Sequence, residues 1–317
     1  MSHLDMPFSI EDQIALMKKY VVFVRKTRIK RLLEYSGYFR LSRYGKYLLS
    51  HTNILKTKPK QDLLFDVYDL DVELRKLFFH YCKKAEIQFK SHMSNSVSLK
   101  ENNPAFYLDK TFYTETKSER DKNKREANKK FFNNKFYKNI VLQEKELRSN
   151  INKYPELKEY RNGGKRVKKK IPSWAAFSYF EFGTITNMYA FLRGDLRKSI
   201  LIYGYSKANY GKETTKQMDT WLDAVRNLRN VCAHHTRLIG RTSSVVLLDS
   251  EDAQGILQSD TDLFSRIYAL KKILNPADSE KLKNELIKII DKAKFDVYQF
   301  GIIPKGWDQL FDSIKIL

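Results

Sequence analysis

The sequence predicts an all-α protein. Glycine and proline are scarce, with 12 and 7 among 317 residues, which favours long uninterrupted helices. Several segments repeat apolar residues at the three- and four-residue spacing of a helix with one buried face. Hydrophobic residues make up 42% of the chain, so it can form a sizeable core, and wholesale disorder is excluded. We expect a helical core in residues 166–317 and a basic helical region in residues 1–165 that packs against it.

The expected helices follow from local signals along the chain. Ser9, followed by Glu11 and Asp12, is typical of a helix start. Apolar residues predict a long helix from Leu63 to about Val97, and residues 118–150 favour a very polar helix. Pro172 suits the first turn of an apolar helix over Trp174–Leu192, with Glu181 in its middle.

The C-terminal half continues the helical pattern. Residues 195–205 form a second apolar segment, and Thr214 to Gln217 resembles a capping box at the next helix start. Two more helices are predicted at about 260–274 and 279–295, separated by Asn275 and Pro276. Residues 242–248 could form a short strand or a loop.

The positive charge is concentrated in two segments. The net charge is +22; residues 18–46 contribute +9 and residues 109–170 contribute +11. Aromatic residues are interleaved with both, and such a pattern is typical of proteins that bind RNA phosphates and stack on unpaired bases. A solvated helical face and an anionic membrane surface are the alternatives. We expect unpaired bases to stack on rings such as those of Tyr35, Tyr38, Phe132 or Tyr137.

We predict an RNA-binding set of basic residues from these segments and from the surroundings of the histidine motif described below. Its members are Arg25, Arg28, Arg31, Arg40, Arg43, Lys165, Arg166, Lys168, Lys169, Lys170, Arg226 and Arg237.

Other features bound the cellular context. The two cysteines, Cys82 and Cys232, form no CxxC pair, so neither a disulfide framework nor a cysteine zinc site is expected. The N-terminus has acidic residues and no apolar core of a secretory signal, and the most apolar stretch contains Glu181. We therefore expect a cytoplasmic protein with no membrane span, no cofactor and no metal.

The most informative stretch runs from Asp219 to Arg241. Arg229 and His234 form an Arg-x-x-x-x-His pattern, and Asn230 shares a helix face with His234 because the two are four residues apart. Arg229 and His234 lie about 140° apart around a helix, so a complete site is easier to assemble from two chains than from one. We expect Arg229, His234 and Asn230 to be catalytic.

The chemistry of such residues suits RNA. The ribose 2′-hydroxyl is an internal nucleophile, and histidine can exchange its proton near pH 7. Arginine can stabilise the charge that develops at the phosphorus. This reaction requires no metal.

Five segments in this order resemble the AbiD/AbiF-type abortive-infection proteins of bacteria, within the HEPN superfamily. They are the opening segment with FSIEDQIALMKKY and LEYSGYFRLSRY, then VYDLDVELRKLFFHYCKKAEIQFK, IPSWAAFSYFEFGTITNMY, RNVCAHHTRLIGR and FGIIPKGW. Two departures are Ile239-Gly240, where the family often has Trp-Asn, and Lys90, where arginine is more usual.

The resemblance implies a HEPN-type helical bundle, a homodimer whose two motifs meet in one site, and a role in phage defence or as a toxin-antitoxin component. It also implies a structured non-coding RNA partner. The sequence thus favours a metal-independent endoribonuclease. The alternatives are a non-catalytic RNA-binding protein of the same fold and a protein–protein adaptor.

Overall fold

The computed structural model describes residues 8–51, 53–117, 119–150, 152–161, 170–205 and 212–317, and over these ranges the protein is all-α as predicted. Isolated bridges join Val22 to Lys60 and Tyr113 to Leu192, and no strand forms in the described ranges. The helices are α1 (Ile10–Met17), α2 (Thr27–Ser36), α3 (Tyr38–Leu49), α4 (Gln61–Glu101), α5 (Lys122–Phe131), α6 (Tyr137–Ser149), α7 (Lys158–Arg161), α8 (Ser173–Ala176), α9 (Phe182–Phe191), α10 (Gly194–Gly204), α11 (Lys212–Ala233), α12 (Leu263–Ile273), α13 (Pro276–Asp291) and α14 (Trp307–Ser313).

Helix α4 is the shared core element of the fold. It has 41 residues, or about 60 Å at 1.5 Å per residue, and contains neither glycine nor proline. It ends at Asn102, which takes the left-handed conformation with φ 46°, two residues before Pro104. The predicted helix is confirmed and is longer at both ends. Its neighbours are α3, α8, α9, α10, α11, α12 and α13.

Helix α11 lies against α4, α9 and α12. Its predicted apolar stripe is confirmed, because Leu222, Val225, Leu228 and Cys232 are all buried. This stripe fixes the rotation of α11 and so leaves the opposite face, at its C-terminal end, toward solvent.

The predicted continuous helix over Trp174–Leu192 is wrong. The chain turns a corner between α8 and α9, and Glu181 is an exposed residue in extended conformation at the start of α9. Phe177, Phe180 and Phe182 are all buried, and the corner lets these closely spaced rings enter the core together. Glu181 is therefore not a buried mid-helix residue.

The predicted capping box is also wrong, because α11 begins at Lys212, before Thr214. The side-chain amide of Gln217 donates through Nε2 to the carbonyl of Leu248 at 2.8 Å and does not turn back toward the helix start. Residues 242–248 form a loop, and this loop hydrogen-bonds to Asp260 and Thr261.

The remaining helix predictions are confirmed with adjusted ends. Ser9 forms a capping box with Asp12 at the start of α1. Asn275 caps α13, with Pro276 at its first position. The polar segment 118–150 contains α5 and α6, joined by a π-helical turn at Phe132–Phe136.

The predicted boundary at residue 165 lies outside the described residues. The division into residues 1–165 and 166–317 stays a prediction. Helix α4, on the N-terminal side of this boundary, packs against α9 to α13 on the other side.

Candidate active site

The Arg229–His234 motif ends α11 in a Schellman turn. The amide of Thr236 donates to the carbonyl of Val231, and the amide of His235 donates to that of Cys232, each at 3.2 Å. His235 occupies the left-handed position of this turn with φ 52°, where glycine is the usual residue. The turn stops the helix directly after His234, whose side chain is exposed.

Helix α4 anchors the chain that leaves this turn. Asp71 is fully buried, and its Oδ1 accepts hydrogen bonds from the backbone amides of Leu238 and Ile239 at 2.8 and 2.7 Å. Its Oδ2 accepts hydrogen bonds from the Tyr44 hydroxyl at 2.7 Å and from Arg75 Nε at 2.8 Å. One carboxylate thus joins α3, α4 and the segment after His234.

The turn forms one wall of a basic groove of about 630 Å³, which we call the α3–α11 groove. Helix α3 forms the opposite wall and one face of α4 forms the floor. No carboxylate is among the described residues that line it. The side chains that give the groove its character are Phe39, Arg40 and Arg43 from α3, Arg75, Lys76 and Phe79 from α4, and His234, His235 and Arg237 from the turn.

Several cations of the groove contact neighbouring rings or a histidine, and Arg75 and Lys76 also pair with Asp71 and Glu73, which lie outside its lining. The Arg43 guanidinium lies 4.3 Å from the Phe39 ring centroid, and that of Arg237 lies 5.2 Å from the Tyr47 centroid. Arg75 Nη1 lies 3.4 Å from His235 Nδ1. Burial lowers the pKa of the Arg237 guanidinium, while the charge of Asp71 acts in the opposite sense.

Arg229 does not line this groove. Its Nε lies 3.7 Å from Oε2 of Glu86, and its Nη1 donates to Asn230 Oδ1 at 3.2 Å. Glu86 is buried and also pairs with Lys90 at 2.7 Å and Lys83 at 3.2 Å. The structure therefore brings Arg229 and Asn230 together but directs the Arg229 guanidinium and the His234 ring to different surroundings, in keeping with their offset around the helix.

The cations around Glu86 change its titration. Burial acts to raise the pKa of Glu86, but the hydrogen bonds and charges of Lys90 and Lys83 outweigh it and hold that pKa below its usual value. Burial lowers the pKa of Lys90 despite its bond to Glu86. Lys90 also donates to the carbonyl of Phe180 at 2.7 Å, which ties α4 to the corner before α9.

The predicted RNA-binding residues fall into separate places. Arg40, Arg43 and Arg237 join His234 in the groove. Arg226 is half-buried, forms an ion pair with Asp223 and donates to Thr186 Oγ1 at 3.4 Å.

The other predicted cations lie away from the groove. Arg25 and Arg31 are exposed near or on α2, and Arg28 pairs with Asp69 at 2.6 Å. Lys170 is exposed. The remaining four, Lys165, Arg166, Lys168 and Lys169, lie outside the described residues.

The structure also separates the aromatic residues. Phe132 is fully buried, so it offers no face for stacking. The Tyr137 hydroxyl donates to the Leu108 carbonyl at 2.7 Å. Tyr38 is half-buried and Tyr35 is exposed. Phe39 and Phe79, which sequence reasoning missed as site residues, are the exposed rings of the groove.

Sequence reasoning also missed Asp71, Arg75, Lys76, Lys83 and Glu86. The available signal was the four-residue spacing of Asp71 and Arg75, and of Glu86 and Lys90, on a predicted helix. Nothing in the sequence indicates that these pairs meet a helix about 150 residues later.

Two further properties of the described residues bear on the site. None of their helices is long and apolar enough to cross a membrane. Among the same residues, no three or more His, Cys, Asp or Glu side chains are grouped so that they could hold a metal ion.

Comparison with known proteins gives one match. The family model described as Abi-like protein matches residues 31–240, about two thirds of the chain, and this range contains α3, α4, α11 and the motif. Curated proteins and solved structures gave no match.

Proposed function

This chain belongs to the Abi-like family, and from that premise we propose that it acts in abortive infection as a metal-independent endoribonuclease of HEPN type. Family membership itself supports a role in phage defence by abortive infection. The nuclease activity, the RNA ligand and the cytoplasmic location are parts of the proposal.

One observation carries the proposal. His234 is exposed at the end of α11 and lines a groove that contains five arginine and lysine side chains and, in the described part of the chain, no carboxylate. A groove of one sign attracts a polyanion and raises its local concentration beside the histidine. A neutral or basic ligand would gain little from this arrangement.

The proposed reaction is cleavage by the neighbouring 2′-hydroxyl. The 2′-oxygen attacks the adjacent phosphorus, the bond from phosphorus to the 5′-oxygen breaks, and a 2′,3′-cyclic phosphate remains. His234 takes the proton of the 2′-hydroxyl or supplies one to the leaving 5′-oxygen, and solvent water is the partner in the other proton transfer. The guanidinium of Arg229 stabilises the charge on the phosphorane, with Asn230 beside it.

A second subunit accounts for the separation of Arg229 and His234. Within one chain the Arg229 guanidinium lies at Glu86, outside the α3–α11 groove. We propose a homodimer in which motifs from both chains form the site. Mixing inactive Arg229→Ala subunits with inactive His234→Ala subunits should then restore part of the activity. A monomeric mass by light scattering, both with and without RNA, would contradict the dimer.

The same placement of Arg229 favours a second function, which is RNA binding without cleavage. An arginine tied to a buried carboxylate can stabilise the helix end and leave the groove as a binding surface. Incubating labelled RNA with the protein in EDTA separates the two. Cleavage to 2′,3′-cyclic phosphate ends supports the nuclease, and intact but retained RNA supports the binding protein.

The proposal includes a structured non-coding RNA as partner or regulator. The exposed cations on and near α2, and Lys170, give the protein further basic side chains away from the groove. Sequencing the RNA that co-purifies with the protein tests this part directly.

A further inference from the structure

We propose that the α3–α11 groove contains a binding subsite for one unpaired nucleobase, formed by Phe39 and Phe79 and placed beside His234. The inference rests on the proposed function only in taking RNA as the ligand. It adds a position at which the protein would hold a base rather than a phosphate.

The exposure of two large rings in a charged groove is the first reason. Phe39 is 69% exposed and Phe79 is 38% exposed, although neighbouring positions on their helices, such as Leu41 and Phe78, are buried completely. Both rings line the groove that His234 lines. Exposed phenylalanines cost free energy in water, and their flat faces suit the stacking of a base.

The charge around the rings is the second reason. The Arg43 guanidinium lies 4.3 Å from the Phe39 centroid, and Arg40 and Lys76 line the same groove. A ring beside several cations fits a ligand that alternates flat apolar surfaces with negative charges. A nucleotide unit has that character, and its phosphates can pair with the cations while its base stacks on the ring.

The size of the groove is the third reason. At about 630 Å³ it lies within the range of small-ligand sites, which is about 300–1,000 Å³. A base can stack on protein rings only when it is unpaired and turned out of a helix, so the ligand is a loop, bulge or single strand.

The test uses a five-nucleotide RNA with 2′-O-methyl groups and a central 2-aminopurine. The methyl groups remove the nucleophile, so binding is measured whether or not the protein cleaves RNA. Wild-type protein should quench the 2-aminopurine fluorescence through stacking. Phe39→Ala should weaken binding about tenfold and reduce the quenching, whereas Phe39→Trp should retain both. Phe79→Ala should act in the same direction as Phe39→Ala.

The matched control is Trp174→Ala, which removes an exposed ring from α8, outside the groove. It should leave binding and quenching at wild-type values. Equal binding by wild type and Phe39→Ala would overturn the subsite, as would equal losses in Phe39→Ala and Trp174→Ala. Displacement of the RNA by a glutamate-rich peptide at equal concentration would also overturn it, because the groove would then recognise negative charge alone.

The same measurements distinguish failure of the nuclease proposal from failure of the base subsite. Stacking and tight binding by a protein that leaves ordinary RNA intact would retain the subsite and refute the nuclease. Cleavage of ordinary RNA that is undisturbed by Phe39→Ala, with no quenching, would retain the nuclease and refute the subsite.

Discussion

Asp71 accepts a hydrogen bond from the backbone amide of Leu238 at 2.8 Å across 167 positions of sequence. This contact, repeated at Ile239, attaches the segment after His234 to the N-terminal third of α4. Because Asp71 is fully buried, the geometry of the motif's end depends on a residue that never reaches solvent.

Replacing Asp71 by alanine should therefore destabilise the protein by about 3 kcal/mol, since Arg75 and two backbone amides would lose their acceptor inside the core. The measurement is the free energy of unfolding in urea. Asp69→Ala is the control, because Asp69 and its partner Arg28 are both about half exposed, and it should cost less than about 1 kcal/mol. Equal effects would show that the Asp71 contacts do not stabilise the turn.

His235→Gly should stabilise the protein. A side chain at φ 52° is strained, and glycine relieves that strain at the left-handed position of a Schellman turn. The gain should be about 0.5–1 kcal/mol after the greater freedom of glycine in the unfolded chain is counted. His235→Val, which places a β-branched side chain at this positive φ, should lower the melting temperature. A lower melting temperature for His235→Gly would mean that the contact with Arg75 outweighs the strain.

The Glu86 cluster should give a measurable dependence of stability on pH. The pKa of Glu86 is lowered on folding, so its contribution is present above the unfolded pKa of about 4.3 and is lost as the pH falls through the lower folded pKa. At pH 7, Glu86→Gln should cost about 2 kcal/mol because Lys90 and Arg229 lose their counter-charge.

The free-energy cost of Glu86→Gln should shrink as the pH is lowered from 6 toward 3. Urea unfolding of wild type and Glu86→Gln at each pH measures this change. Glu73→Gln on the same helix is the control; Glu73 and its partner Lys76 are exposed, and the change should stay below about 0.5 kcal/mol. A Glu86→Gln cost that does not change with pH would contradict the lowered pKa.

RNA affinity should depend on salt through the basic residues. If about eight phosphates are neutralised, log K should fall with log salt at a slope near −6 to −7. Joint replacement of Arg40 and Arg43 by glutamine should make the slope shallower by about 1.4. This value assumes that each arginine neutralises one phosphate of a single strand, which contributes about 0.7 to the slope. Joint replacement of the basic residues Lys165, Arg166, Lys168, Lys169 and Lys170 should also weaken binding and flatten the slope.

Lys283→Gln is the control for these titrations, because Lys283 on α13 already pairs with Asp312 at 2.6 Å and lies outside the groove. Unchanged affinity and slope both in the Arg40/Arg43 variant and in the variant of residues 165–170 would mean that these residues are only solvated charges.

The fold was predictable where the local sequence of a helix is enough to determine its buried and exposed faces. The stripe Leu222, Val225 and Leu228 follows the helical period, so the exposed face that ends in His234 could be identified from sequence. The corner at Glu181 could not, because a helix and a corner both place Phe177 and Phe180 in apolar surroundings and only packing decides between them.

The motif of the candidate site could be predicted from sequence. The residues of other helices that surround the motif could not. Phe132 and Phe39 both stand among basic residues, yet Phe132 packs against Phe191 while Phe39 faces the groove. The contact of Arg229 with Glu86 spans 143 positions and depends on how α11 crosses α4. Such contacts are properties of the packed helices and leave no local pattern in sequence.

The most direct measurement is cleavage of labelled RNA in EDTA by wild type, His234→Ala and His80→Ala, with analysis of the product ends. His80 is exposed on α4 outside the groove and serves as the matched histidine. We predict 2′,3′-cyclic phosphate or 3′-phosphate ends, a loss of at least about 100-fold in His234→Ala and wild-type rates in His80→Ala. Arg229→Ala should raise the barrier by about 3 kcal/mol. Undiminished cleavage by His234→Ala, or products with 3′-hydroxyl ends, would contradict cleavage by His234 through the 2′-hydroxyl.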